Sequence, residues 1–270
     1  MRLDRSTWPA VQRYFATHDT VMLLFGSTEQ HGTHNPLGTD TMAPQKLSEL
    51  VETKLPDLLI APALPFGSTS RFEEFPGTIS LGDRILSEVV NKVCDDLRRH
   101  GARHFVFLNG HGGNSKVLME AAVALSRKGC LAAQLDWWKM VRDFKPAWAG
   151  GHGGAQETSA NLYIDPTTVD MDAIEDMNLV NDLGAEIPTI HFCTVKYKGV
   201  SVEVPRPTSY ITNNGWIGPD HPRTASAQWG EEMLTAVANW MVDFIQAFAK
   251  APLLTPESAS IARSHESHIA

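Results

Sequence analysis

Three short segments concentrate the side chains able to do chemistry. Residues 26–40 contain Glu29, His31 and Asp40 in a stretch dense with glycine, serine and threonine. Two carboxylates and an imidazole suit a hard or borderline cation such as zinc or manganese, and a carboxylate can bridge two ions. Asp40 is the candidate bridge. If the backbone is briefly extended, Glu29 and His31, two residues apart, point to the same side. A plainer reading makes Asp40 the cap of a helix opening at Thr41-Met42-Ala43-Pro44, with Glu29 and His31 as ordinary loop polar residues.

The second segment is Asn109-Gly110-His111-Gly112-Gly113-Asn114. Its glycines let the backbone approach a ligand closely around His111. The same stretch could be an anion nest at a helix N-terminus, although no lysine follows to complete a Walker-type loop. In the third segment, residues 148–159, glycine pairs flank His152 and Glu157 falls in a first helical turn. The helix dipole favours a carboxylate there with or without a metal. Cys94, Cys130 and Cys193 are far apart and form no C-x-x-C pair, so they read as reduced, buried thiols. Any metal must therefore be held by nitrogen and oxygen.

The elements that position these segments follow from hydrophobic periodicity. Apolar runs at 20–25, 58–61 and 104–108 end in glycine or proline signals and read as buried strands, with a fourth expected at 130–135. Ile85, Leu86, Val89, Val90, Val93 and Leu97 mark an amphipathic helix closed by Gly101, and residues 115–128 a second closed by Gly129. A long final helix carries Trp229, Met233, Val237, Met241, Ile245 and Phe248 on one face. Strands alternating with helices predict an α/β fold with a mostly parallel sheet covered on both faces. Ligands in such folds gather beyond the carboxyl ends of the strands, where the first two motif loops lie.

The chain has 270 residues, 43% hydrophobic and 20% charged, with a formal charge of −8. This composition is that of an ordinary globular protein. No basic field is available for nucleic acid, and no segment reaches the roughly 20 apolar residues that span a bilayer. Residues 1–15 lack the apolar core of a signal peptide, so a cytoplasmic location is expected. Residues 1–250 are expected to form a single domain. Residues 251–270 lose the apolar period and are expected to be a polar, mobile tail, whose His265 and His268 could bind metal adventitiously.

Read in order, Gly26-Ser27-Thr28-Glu29-Gln30-His31-Gly32 with Gly38-Thr39-Asp40, then Asn109-Gly110-His111-Gly112-Gly113-Asn114, then His152-Gly153-Gly154-Ala155-Gln156-Glu157-Thr158 resemble the signatures of the creatininase family. Phe75-Pro76-Gly77-Thr78-Ile79-Ser80 resembles a further family segment, and the likeness runs over about residues 8–165. The resemblance implies a three-layer αβα fold, a homo-oligomer such as a hexamer, and two divalent cations, Zn2+ or Mn2+. By position, Glu29, Asp40 and His111 would hold one ion, and His31 and Asp40 the other. Creatininase has a glutamate where this chain has Gly113, and Glu157 looks like the substitute ligand.

His152 matches the family's catalytic histidine, and Trp148 a tryptophan that closes over creatinine. A core or interface position is the competing reading of Trp148. Creatininase also carries a glutamate immediately before the catalytic histidine, where this chain has Gly151, which counts against creatinine as substrate. The implied activity is attack by a metal-bridging hydroxide on the carbonyl of a small cyclic amide, lactam or formamide. An alternative is C–C hydrolysis of a cyclic diketone such as an oxidised inositol of the 3-dehydro-scyllo-inosose type. Ser68, Arg71, Glu73 and Glu74 would suit such a hydroxylated substrate, or form an ordinary exposed loop. A second alternative is a non-catalytic binding protein that retains metal.

Overall fold

The computed structural model describes residues 1–180 and 183–255. In chain order its elements are α1 (Trp8–Phe15), β1 (Thr20–Phe25), α2 (Thr39–Glu52), β2 (Leu59–Ile60), α3 (Gly82–His100), β3 (His104–Asn109), α4 (Ser115–Ser126), β4 (Leu131–Asp136), α5 (Trp137–Phe144), α6 (Ala155–Ile164), β5 (Thr194–Tyr197), β6 (Val200–Glu203) and α7 (Ala227–Phe248). The first four strands form one parallel sheet in the order β2-β1-β3-β4. Every residue of β1 and β3 is buried, as expected of central strands covered on both faces.

Alternation along the strands divides the core into two layers. Val21, Leu23, Phe25, Phe105 and Phe107 pack with α1, α3 and α4, whereas Met22, Leu24, Val106 and Leu108 pack with α2, α5 and α7. The fold is therefore the three-layer αβα arrangement. A third, smaller cluster of Phe72, Phe192, Cys193, Ile211 and Ile217 lies apart from both. The three cysteines are free and buried.

The second strand is shorter than its apolar run. Pro62 has no N–H for the ladder, so regular pairing ends with the Ala61 N–H on Met22 O, and the chain rejoins β1 at Leu64, whose N–H donates to Leu24 O at 2.9 Å and whose O accepts from the Gly26 N–H at 3.0 Å. The hairpin of β5 and β6 was not expected from periodicity, because β6 is exposed along its whole length. Its turn is nonetheless written in the sequence: Lys198 and Gly199 both have positive φ, at 46° and 85°, as a type I′ turn requires. α7 ends at Phe248 and residues 251–255 form no regular element. The remainder of the expected tail, with His265 and His268, lies outside the described residues. Among the described residues no helix is long and apolar enough to cross a membrane.

Leu108 is fully buried in a central strand, at 0% exposure. Leu108→Ala should lower stability by about 2–5 kcal/mol, the usual cost of such a cavity. Urea unfolding measures this, and a loss below about 1 kcal/mol would contradict the layer assignment.

Candidate metal centre

Parallel pairing sets the site, because it puts the carboxyl ends of the strands in one row. Phe25 at the end of β1 pairs with Asn109, and Asn109 with Asp136. The loops that follow β1 and β3 thus leave the sheet side by side. Gly110 lets them close on each other: a Cβ at that position would lie 1.8 Å from the backbone oxygen of Asp40. Only glycine admits the start of α2 so close to the end of β3.

Asp40 is the second residue of α2, whose N-cap is Gly38, so Asp40 is not the cap. Its carboxylate turns into the site instead. Oδ1 lies 3.0 Å from His31 Nε2, Oδ2 lies 2.8 Å from His111 Nδ1, and Ser27 Oγ donates to Oδ2 at 2.8 Å. Glu157, the third residue of α6, accepts from the Gly153 N–H through Oε2 at 2.7 Å, and that oxygen is 3.6 Å from His31 Nε2. It meets its helix terminus and the site at once.

Backbone carbonyls determine what the imidazoles offer. A carbonyl only accepts, so the ring nitrogen facing it carries the proton. His31 Nδ1 donates to Glu29 O at 3.1 Å, His111 Nε2 to Ser68 O at 2.9 Å, and His152 Nε2 to Gln30 O at 2.7 Å. In each neutral ring the other nitrogen is a lone pair, and all three lone pairs face carboxylates. His111 Nδ1 and His152 Nδ1 lie 3.2 and 3.7 Å from Glu29 Oε1.

Glu29 is 0% exposed, and neither carboxylate oxygen has a hydrogen-bond partner. A buried ionised carboxylate without donors is strongly unfavourable unless a cation is paired with it. Ligand atoms within 4.8 Å of one another occur in three overlapping groups: Glu29, Asp40 and His111; His31, Asp40 and Glu157; and Glu29, His31 and His152. The donor set of carboxylate oxygen and imidazole nitrogen fits divalent cations such as zinc or manganese. Glu29, His31 and Asp40 each belong to two of the groups, and Asp40 turns one oxygen to His31 and the other to His111, as a shared carboxylate would.

Without cations, protons take their place. Burial alone would lower the His31 pKa, but the Asp40, Glu157 and Glu29 carboxylates raise it to about 10. Burial opposes charge on His111 too, yet Glu29 and Asp40 hold its pKa well above the ordinary value. Asp40 stays well below the usual carboxylate range despite burial, through His31 and His111. Burial pushes Glu157 up to about 8, against the pull of His31 and with the help of Asp40. Burial and the neighbouring His31 push His152 well below the usual histidine value, which keeps it neutral.

The site opens into a cavity of about 650 Å³ lined by Glu29, Asp40, His111, His152 and Glu157. His31 lies beneath it at 0% exposure. Phe72 stacks on the His152 ring at 4.6 Å and 8°, and Phe192 meets it edge-on at 5.2 Å. Ser68 and Arg71 line the cavity, but Glu73 and Glu74 do not. Trp148 does not line it either: its ring joins the core layer containing α7, with Lys145 Nζ 5.0 Å over the ring. The tryptophan at the cavity wall is Trp138, from the first turn of α5. Phe72, Trp138 and Phe192 come from three separate segments, and no sequence motif joins them.

Fold and site together define an α/β protein with a candidate cation cradle of nitrogen and oxygen donors at the carboxyl edge of its sheet. Residues 4–245 match the family described as Creatininase: Creatinine amidohydrolase, and the chain belongs to the creatininase family. It is a hydrolase of that family. It is 32% identical to the creatinine amidohydrolase of Pseudomonas putida over 195 residues, covering 63% of this chain and 74% of that protein. It is 30% identical over 231 residues to the mycofactocin precursor peptide peptidase of Mycolicibacterium smegmatis, covering 84% of each. Among solved structures, "Creatininase Mn" superimposes with a TM-score of 0.75 at 25% identity, covering 93% of this chain and 99% of that one. A mutant creatininase of "Zn-Zn type" gives 0.75 at 26% identity, covering 93% and 98%.

Because His31 and His111 hold extra protons in the ion-free protein, zinc binding at pH 7 should release at least two protons per chain. Calorimetry in buffers of different ionisation heat reads this number, and zero release would contradict the site. The sign for stability follows from the raised His31 value. Its contribution in chelator-treated protein is whole below pH 6.5 and is lost as pH rises through about 10. Thermal melts should therefore fall between pH 7 and pH 10.

Proposed function

We propose that this hydrolase cleaves a C–N amide bond with two divalent cations, zinc or manganese, held by Glu29, His31, Asp40, His111 and Glu157. The observation that carries the reading is the orphaned Glu29 carboxylate, buried among imidazole lone pairs at the floor of an open cavity. When bound, such cations supply Lewis acidity toward a carbonyl and lower the pKa of water toward neutrality. The chain's own contribution is positional and proton-handling. His152 is neutral, its Nε2 proton is committed to Gln30 O, and its Nδ1 lone pair faces the cradle. Nδ1 is thus the atom that takes up a proton and passes it to the leaving nitrogen. Phe72 and Phe192 hold that ring in place, and Trp138 offers the apolar wall that the sequence assigned to Trp148.

The sequence pointed to a small cyclic amide, lactam or formamide. A linear peptide amide is a second reading, favoured by the cavity. Its volume of about 650 Å³ falls among pockets that hold drug-sized ligands, roughly 300–1,000 Å³. The likeness to a precursor peptide peptidase over 84% of the chain supports the same reading. The C–C alternative is supported by a thinner likeness, 25% identity to the 3-dehydro-scyllo-inosose hydrolase of Thermotoga maritima over 51% of that protein.

A panel of lactams, formamides, short peptides and cyclic polyol ketones, assayed with zinc- or manganese-loaded protein, tests the proposal. Turnover is expected among the amides, and His152→Ala should lower kcat by about 10²–10⁴-fold with little effect on metal content. Turnover of the cyclic ketones alone would refute C–N cleavage.

A further inference from the structure

We propose that Asp220 is a positioning residue for this site, its carboxylate filling the glycine nest at the start of α6 and setting the loop that carries His152 and Glu157 against the cation cradle. This deepens the metal-site reading and rests on it for its effect on ion binding.

The contacts bracket both functional side chains. Asp220 Oδ1 accepts from the Gly151 N–H at 2.9 Å, one residue before His152. Oδ2 accepts from the Gln156 N–H at 2.7 Å, one residue before Glu157. The Ala155 N–H donates to the backbone oxygen of Asp220 at 3.2 Å, and the Ile217 N–H to His152 O at 2.8 Å. Residues 217–220 therefore latch residues 151–156 from outside, through backbone groups that no helix partner satisfies.

The latch accounts for glycines that a metal site does not itself need. A Cβ at Gly150 would lie 2.7 Å from Asp220 Oδ2, and one at Gly154 would lie 2.4 Å from Oδ1. The space around the nest is cut to a carboxylate supplied by the chain. Successive backbone N–H groups and the helix dipole stabilise that charge. Among the described residues no basic side chain is paired with Asp220.

The two ions should respond differently. Glu157 belongs to the group with His31 and Asp40, whereas Glu29, Asp40 and His111 all lie on other loops. Of the ligands proposed for the two ions, Glu157 alone lies within residues 151–157, so releasing that segment withdraws one proposed ligand from one ion.

The test compares wild type, Asp220→Asn and Asp220→Ala by zinc titration of ion-free protein and by hydrogen exchange of the same ion-free samples. Asp220→Ala should weaken one of two binding events by about 10–100-fold and leave the other unchanged, with Asp220→Asn intermediate. Amides of residues 151–157 should exchange faster while those of β1 and β3 keep their rates. A merely structural role would weaken both events together and speed exchange throughout, and that result, or unchanged exchange at 151–157, would overturn the proposal. If wild type binds no zinc, the metal reading fails on its own, and the exchange pattern still decides the role of Asp220.

Discussion

The three imidazoles of this site, His31, His111 and His152, give their N–H groups to backbone carbonyls, and that commitment is what the site depends on. It leaves His31 Nε2, His111 Nδ1 and His152 Nδ1 as lone pairs directed at the carboxylates of Glu29, Asp40 and Glu157. Acceptors facing acceptors at 2.8–3.7 Å in a buried place are repulsive unless positive charge lies between them. Protons can supply it, as the raised values of His31 and His111 record. The proposed divalent cations would supply more charge per position and would pair with Glu29, whose carboxylate oxygens have no hydrogen-bond partner.

The rest of the fold maintains that convergence. Parallel strands with a shared carboxyl edge bring residues 71 positions apart, Asp40 and His111, within hydrogen-bond distance. Large apolar layers on both faces of the sheet fix the strands, and the loops inherit their position. The cavity above is walled by aromatic side chains that hold His152 while leaving the floor open. A closed site would serve structure, whereas an accessible one leaves room for a reacting molecule.

The central strands were legible in the sequence because strands buried on both faces appear as continuous apolar runs, and α3 because its apolar spacing is helical and Gly101 ends it with φ of 126°. β5 and β6 were not, since a largely exposed hairpin has no buried face to impose a pattern. The ligand candidates were legible as residue types in glycine-rich loops. Their geometry was not, because the tautomers depend on carbonyls of Ser68 and Gln30 that no motif marks. Trp148 stands at the expected position in its motif, but both it and Trp138 pack against the layer containing α7, and it is Trp138 that lines the cavity. Asp220 lies 64 residues from Gln156, beyond the reach of any spacing argument.

In the proposed site Asp40 is shared between two cation positions while Glu157 serves one. Elemental analysis of wild type, Asp40→Ala and Glu157→Gln, purified without an affinity tag and checked for folding by circular dichroism, tests it most directly. Two divalent ions per chain are expected in wild type, one in Glu157→Gln and none in Asp40→Ala. Wild type devoid of metal after incubation with zinc or manganese, or Asp40→Ala retaining both ions, would contradict it.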